Sequence, residues 1–280
     1  MSDNEAEITK RLSRYLPHSF LVAVFAYMFW IRTLPSSSIV TEDGLLFSAN
    51  DSWYHLRVVG HFVENYPTLF PFDPWTYFPY GSGASTGYGG LFDQLIATVA
   101  MLVGLGNPSQ MQIEMITAYA PAVFGAATAV PVYLLAKRLT DRWTALLAPF
   151  SLALFTGQFL NRTTFGNVQH EAGEAFFVGF AVLGFIIAIE RGYREKPTFA
   201  HFRDRDWGGL RKPLLGSTIG GLALAAYMLT WPAAIYLLAP LGAFLLIQMV
   251  RDDLNDVSTE YLAISVTGVF FIASIPVSIY

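Results

Sequence analysis

The sequence predicts an all-α polytopic membrane protein with about seven spanning helices. Of its 280 residues, 54% are hydrophobic and only 14% are charged, whereas a soluble domain carries about 25% charged residues. The apolar residues form runs of about 20, the length that a helix needs to cross a bilayer. Basic residues cluster between several of these runs. These three observations predict the fold class.

Composition also excludes several classes of function. The chain has no cysteine, which excludes disulfides, zinc sites built on cysteine and thiol catalysis. Its formal net charge of −4 gives no support for nucleic-acid binding.

The first spanning helix is predicted at 18–37, after a cytoplasmic N-terminus at 1–17. No small-residue cleavage site follows this apolar run, so we interpret it as an uncleaved helix and not as a signal peptide. The basic residues of 1–17 place the N-terminus in the cytoplasm by the positive-inside rule. Arg32 lies near the far end of the span, where a long cationic side chain can reach water.

A long external loop is predicted at 38–112. Its apolar run at 91–106 is short for a bilayer. The basic loops 137–142 and 191–213 are both cytoplasmic only if this run does not cross. We therefore expect 91–106 to be a helix on the membrane surface.

Six further spans complete the predicted topology in 113–280. They are placed at 113–136, 142–160, 171–190, 214–231, 232–250 and 259–280. This topology puts the loop 38–112 and a second external motif at 161–171 on the same outer face, opposite the basic loop 191–213.

Asp51 is the first candidate for chemistry, because it opens a helical pattern shortly after a membrane exit. Cap preferences alone favour Asn50 or Asp51 as a helix N-cap. The alternative is an ionised carboxylate that binds a divalent cation. His55 follows four residues later on the same helix face, as a structural histidine or as a partner of that cation site.

A second group of ionisable residues lies at 161–171 and just beyond. Glu171 and Glu174 share a helical face, and the helix dipole favours acids at this position. That effect does not account for Arg162 and His170, which lie at the same boundary between two spans. Ionisable groups at membrane depth mark functional sites. Oxygen ligands from two loops, completed by water and phosphate, favour Mg²⁺ or Mn²⁺ over zinc.

Several segments, in order, resemble the catalytic subunits of oligosaccharyltransferases, the AglB and PglB proteins of archaea and bacteria. The segments are NDSWYHLR at 50–57, FPYG at 78–81, YGGLFD at 88–93, VPVYLL at 130–135, the acidic motif at 162–171 and YMLTW at 227–231. The resemblance covers nearly the whole chain, and the residues of these segments are most similar to those of archaeal, in particular haloarchaeal, members.

The resemblance implies a GT-C membrane fold and the transfer of an oligosaccharide from a dolichyl-phosphate-type lipid carrier to Asn in N-x-S/T sequons. It thereby implies two partners, the lipid-linked oligosaccharide and a sequon-bearing protein, in addition to membrane lipids. It places the active site on the extracytoplasmic face of the cell membrane. Asp51 matches the catalytic first-loop aspartate, which binds Mn²⁺ or Mg²⁺ and orients the acceptor amide.

In the second motif, Glu171 falls on the last acidic position, and Arg162 and Gly166 fall on its Arg and Gly. Arg162 is thereby a further catalytic candidate. The motif's Asp position is occupied by Gln169, which offers a carbonyl oxygen without a charge. We therefore expect a weaker metal site that recruits His170.

Members of this family continue with more spans, a later external loop carrying a catalytic Glu, and a soluble domain with WWDYG. The chain is therefore expected to be an N-terminal fragment or a truncated relative.

Three alternative functions remain. The first is another GT-C enzyme such as a protein O-mannosyltransferase, and the second is a transporter or channel with a polar path through Arg162, Glu171 and Glu174. The third is a non-catalytic protein that binds lipid-linked sugar or an assembly partner.

Overall fold

The computed structural model describes residues 3–42, 44–68, 72–83 and 90–279, with side chains from Tyr15 onward. The α-helices are α1 (Asp3–Thr33), α2 (Ser36–Ile39), α3 (Asn50–Glu64), α4 (Leu91–Val103), α5 (Gln110–Ala127), α6 (Ala129–Leu139), α7 (Leu147–Leu154), α8 (Gln158–Asn161), α9 (Glu171–Glu195), α10 (Phe199–Arg203), α11 (Trp207–Thr230), α12 (Leu238–Asp253) and α13 (Glu260–Ile279). Two 3₁₀ helices, Thr144–Leu146 and Pro232–Leu237, precede α7 and α12. The short strands β1 (Val40–Thr41) and β2 (Gly44–Leu45) pair antiparallel.

The chain divides into two compact units. The first comprises Met1–Glu64 and Ile96–Gly179, and the second comprises Asn65–Leu95 and Phe180–Tyr280. Every sequence-predicted site residue belongs to the first unit.

Within the described residues, six helical segments are long and apolar enough to cross a membrane. They are Tyr15–Ile39, Gln110–Leu139, Glu171–Glu195, Trp207–Thr230, Pro232–Asp253 and Glu260–Ile279. The predicted class, a polytopic α-helical membrane protein, is confirmed, and each of these segments overlaps a predicted span.

The span predicted at 142–160 is wrong as a continuous helix. The 3₁₀ turn Thr144–Leu146 and α7 together reach only Leu154, after which Phe155 is extended, with ψ of 116°. Gly157 has φ of +107°, a conformation that only glycine adopts readily. The helix stops at Leu154, although the sequence around the break is apolar.

The interrupted segment nevertheless runs parallel to α1 along much of its length. The Phe150 ring lies 6.4 Å from the ring of Phe20, and Ala153 is buried in one cluster with Met28. Further along, Thr163 contacts Arg32 near the end of α1. The segment thus returns the chain to the C-terminal end of α1, as the predicted span would.

The predicted surface helix at 91–106 is present as α4, with 13 residues. At about 1.5 Å per residue it extends about 20 Å, short of the ~30 Å hydrocarbon core. It stops where Leu105 and Gly106 adopt positive φ values of 50° and 89°. Its position on the membrane surface stays a prediction. Of the YGGLFD segment, Tyr88 and Gly89 lie outside the described residues.

The second unit is built on close helix packing at small residues. A Cβ at Gly184 in α9 would lie 2.7 Å from Cα of Gly220 in α11. A Cβ at Gly221 would lie 2.6 Å from Cβ of Ile272 in α13. Such small residues let helix backbones approach closely, as in other membrane helix bundles.

Candidate active site

Two segments that are far apart in sequence meet at Ser52, in the first turn of α3. The backbone N–H of Val168 donates to the Ser52 hydroxyl at 2.8 Å. The N–H of Ser48 donates to the carbonyl of Gly166 at 3.0 Å. Gly166 has φ of +76°, and a Cβ there would meet the Ile39 side chain at 2.8 Å. The second motif therefore needs glycine at this point of contact with the first loop.

The helices α1 and α5 also hold the second motif through its backbone. The N–H of Phe165 donates to the carbonyl of Arg32 at 2.8 Å, and the N–H of Gly166 donates to the carbonyl of Ala118 at 3.0 Å. Backbone groups paired in this way fix a loop without regular secondary structure.

Arg32 is fully buried at 0% exposure, so the expectation that it reaches water is wrong. Its Nε donates to Thr163 Oγ1 at 2.8 Å and its Nη1 donates to the carbonyl of Met28 at 3.0 Å. Its guanidinium carbon lies 5.0 Å from the Phe159 ring centroid, a cation–π distance. Within the described part of the chain, no carboxylate pairs with Arg32. Gly125 leaves room for this contact, because a Cβ there would lie 2.7 Å from the Arg32 Nε.

Arg162 and Glu171 form an ion pair between Nη1 and Oε1. Arg162 follows α8, and its Nε also donates to Gln158 Oε1 at 3.3 Å. Glu171 is the first residue of α9, where the helix dipole stabilises a carboxylate. Both side chains are partly exposed, at 42% for Arg162 and 29% for Glu171. The pair is thus accessible from outside the protein.

His170 lies beside this pair but is buried, with 7% of its side chain exposed. Its Nδ1 is 3.8 Å from Glu171 Oε2, and its ring is 6.0 Å from the ring of His55. Burial lowers the pKa of His170 to about 3, with smaller contributions from the charges of His55 and Arg162. Its imidazole is therefore neutral near pH 7, the form that can ligate a metal.

Asp51 lies at the same junction. It stands in the first turn of α3, directly before Ser52, and one helical turn before His55, the residue that approaches His170. The structure thus brings the first acidic segment and the second motif together within the first unit.

The residues present fit a magnesium or manganese ion in part. Among the described residues, no three His, Asp or Glu side chains are close enough together to hold a metal, so the predicted ligands do not form a closed set. Two buried oxygens, Gln169 Oε1 and Glu171 Oε2, accept no hydrogen bond from the described residues. Hard cations of this kind use one or two carboxylates and complete their shell with water and phosphate, which these oxygens suit.

Sequence reasoning missed four residues that build the site: Ser52, Arg32, Thr163 and Gly125. The arginine inside an apolar span was the available signal, because a charge at membrane depth marks function. Ser52 and Thr163 carried no comparable signal, since hydroxyl residues are common near helix ends.

The fold and this junction define a class: a multi-pass helical membrane protein in which two separate segments, carrying carboxylates, an arginine and a histidine, meet within one helical unit. Residues 20–280 match the family model described as oligosaccharyl transferase STT3, N-terminal. The chain belongs to this family, and the predicted GT-C fold class and family resemblance are confirmed.

A curated relative from Haloferax volcanii, the dolichyl-monophosphooligosaccharide–protein glycotransferase AglB, is 42% identical over 261 residues. The match covers 92% of this chain and 25% of the relative, so the chain spans about a quarter of that protein's length.

Solved structures of the Archaeoglobus fulgidus oligosaccharyltransferase are also similar. The AglB complex with an inhibitory peptide and a dolichol-phosphate has a TM-score of 0.79 and 26% identity, covering 94% of this chain and 29% of that one. The form tethered to an acceptor peptide with the NVT sequon has a TM-score of 0.78 and 25% identity, covering 94% and 30%. A complex with Zn and sulfate has a TM-score of 0.72 and 26% identity, covering 91% and 30%.

Proposed function

We propose that this chain forms the membrane-embedded part of the active site of an oligosaccharyltransferase. The reaction transfers an oligosaccharide from a dolichyl-phosphate-type carrier to the Asn side chain of an N-x-S/T sequon. Membership in the STT3 family supports this proposal, as do the dolichol-phosphate and the sequon peptide bound to the Archaeoglobus fulgidus enzyme.

The observation that carries the proposal is the hydrogen bond between the Val168 N–H and the Ser52 hydroxyl. It joins the segment that begins with Asp51 to the segment that ends with Glu171. A transfer reaction needs donor and acceptor held together, and this positioning can supply a large part of the rate.

In this proposal Asp51 accepts a hydrogen bond from the acceptor amide and orients its nitrogen. Glu171 and Gln169 would hold Mn²⁺ or Mg²⁺ through their buried oxygens that accept no hydrogen bond from the described residues. Asp51 and His170 are assigned to the same ion, although the described side chains do not form a closed set around it, and water and phosphate would complete its shell. When bound, such an ion supplies Lewis-acid stabilisation of the departing phosphate oxygens.

Arg162 is assigned to the phosphate of the lipid carrier. Guanidinium groups bind phosphate oxygens through two parallel hydrogen bonds. Glu171 and Gln158 hold the Arg162 side chain in place, while its 42% exposure leaves donors for a ligand.

The proposed topology places the junction on the extracytoplasmic face. The loop 38–112 and the motif at 161–171 face outward, α4 lies on the membrane surface, and the basic loop 191–213 faces the cytoplasm. This orientation follows the distribution of Lys and Arg.

The test is glycosylation of a reporter sequon by the full-length protein carrying Asp51→Ala. We expect transfer to fall by roughly 100-fold or more, on the order of the loss of one general catalytic group. Glu42→Ala is the matched control, because Glu42 is an exposed acid of the same predicted loop. Normal glycosylation by Asp51→Ala would rule out the proposed role.

A further inference from the structure

A cavity of about 530 Å³ lies in the second unit, where the C-terminal ends of α9 and α12 meet the start of α13. Tyr193 of α9 and Tyr261 of α13 form one wall, with ring centroids 5.5 Å apart in an edge-to-face arrangement. Every lining residue belongs to the second unit, so the cavity is separate from the junction around Ser52.

The floor of this cavity is polar and fixed. Asp252 is buried, with 3% exposure. The Tyr261 hydroxyl donates to Asp252 Oδ2 at 2.7 Å, and Gln248 Nε2 donates to Oδ1 at 2.8 Å. Both carboxylate oxygens of Asp252 therefore have partners within the protein.

Two arginines line the same cavity, Arg194 from the last turn of α9 and Arg251 from the last turn of α12. Neither guanidinium forms a hydrogen bond or an ion pair with any residue that the structure describes. The helix dipole accounts for a cation at each helix end. It does not account for two such cations converging on one cavity without partners.

An apolar groove between α12 and α13 lies beside the cavity, because Met249 and Leu262 of the groove directly follow Gln248 and Tyr261 of the cavity. Its volume is about 210 Å³. The groove is lined by Leu245, Met249, Leu262, Ala263 and Val266, with two threonines. A polar cavity with cationic groups thus adjoins an apolar groove of a kind that hydrocarbon can fill.

We propose that the cavity binds the phosphate group of an anionic phospholipid and that the groove takes part of an acyl chain. Arg194 and Arg251 bind the phosphate, because guanidinium groups match the geometry of phosphate oxygens. Glu190 and Asp252 line the cavity as well, and Asp252 is already held by Tyr261 and Gln248. Basic pockets between spanning helices are known sites for anionic headgroups. This site does not depend on the transfer reaction proposed above.

The test measures binding of phosphatidylglycerol to the purified full-length protein in detergent, by native mass spectrometry at fixed salt. We expect the double variant Arg194→Gln, Arg251→Gln to bind about 30-fold more weakly, from about fivefold for each basic residue. The double variant Arg205→Gln, Arg211→Gln is the control. It removes the same charge from exposed arginines outside the cavity and should bind as the unaltered protein does. Equal losses in both double variants, or a loss in neither, would overturn the site.

A second arm separates a lipid from a free phosphate ion. Ala263→Phe fills the groove and should weaken phosphatidylglycerol binding while leaving the binding of inorganic phosphate unchanged. Millimolar inorganic phosphate should displace the lipid only in part, because the acyl contacts remain. Complete displacement, together with no effect of Ala263→Phe, would show an ion site and overturn the lipid assignment.

Discussion

The Nε atom of Arg32 lies 2.8 Å from the hydroxyl of Thr163, its neighbour in space across 131 positions of sequence. This contact joins a buried charge of the first spanning helix to the residue directly after Arg162. Burying a guanidinium without a carboxylate costs free energy, so its presence behind the second motif points to a positioning role rather than to stability.

Arg32→Met should separate these two roles. Methionine fills much of the same volume, and the Thr163 hydroxyl still donates to the Phe159 carbonyl at 2.6 Å. Thermal stability should therefore stay the same or rise, since replacing a buried charged side chain by an apolar one of similar volume is often neutral or stabilising. Transfer to a reporter sequon should fall roughly 10- to 100-fold, because the loop loses its fixed position. Partial rescue by Arg32→Lys would support positioning, and a variant that unfolds would contradict it.

Gly125→Ala tests how tightly the same contact is packed. The added methyl would lie 2.5 Å from Cβ of Thr163 and 2.7 Å from the Arg32 Nε. We expect a loss of about 1–3 kcal/mol of stability, the usual cost of overpacking, measured by thermal unfolding in detergent. Gly60→Ala in α3 is the control, because nothing lies within 4 Å of its added methyl. It should leave stability unchanged or raise it slightly.

Ser52→Ala should loosen the junction between the two segments. The buried Val168 N–H loses its acceptor, which should lower the free energy of unfolding by about 1–3 kcal/mol. Ser48→Ala should cost less, because the Ser48 backbone N–H still donates to Gly166. Unfolding temperature and transfer rate should fall together in Ser52→Ala. Equal effects of the two substitutions would argue against a special role for Ser52.

Cysteine labelling can test the orientation, since these 280 residues contain no cysteine. In whole cells, Asn107→Cys should react with a membrane-impermeant maleimide, because 38–112 is proposed to face outward. Arg205→Cys, in the basic loop, should react only after the membrane is opened. Reversed labelling would show that α4 crosses the membrane or that the whole chain is inverted.

The sequence was sufficient for the fold class, and it singled out the acids of the candidate site because charged residues stand out in apolar surroundings. The alternation of basic loops alone predicts Asp51 and Glu171 on the same face of the membrane. The burial of Arg32 could not be foreseen, because it depends on Thr163, a distant residue with no unusual local pattern. The break at Gly157 was missed for a related reason. Hydropathy reports whether a segment suits lipid and does not report where its backbone leaves the helix.

That break has a consequence for how the protein is made. The 3₁₀ turn Thr144–Leu146 and α7 together extend less than about 20 Å, short of the ~30 Å hydrocarbon core, and the broken end leaves backbone groups that lipid cannot satisfy. Such a segment is a poor candidate for entering the bilayer alone. It becomes stable there once α1 lies alongside it. We therefore expect α1 to enter the membrane first. The segment that contains α7 is synthesised more than a hundred residues later and should insert only together with α1.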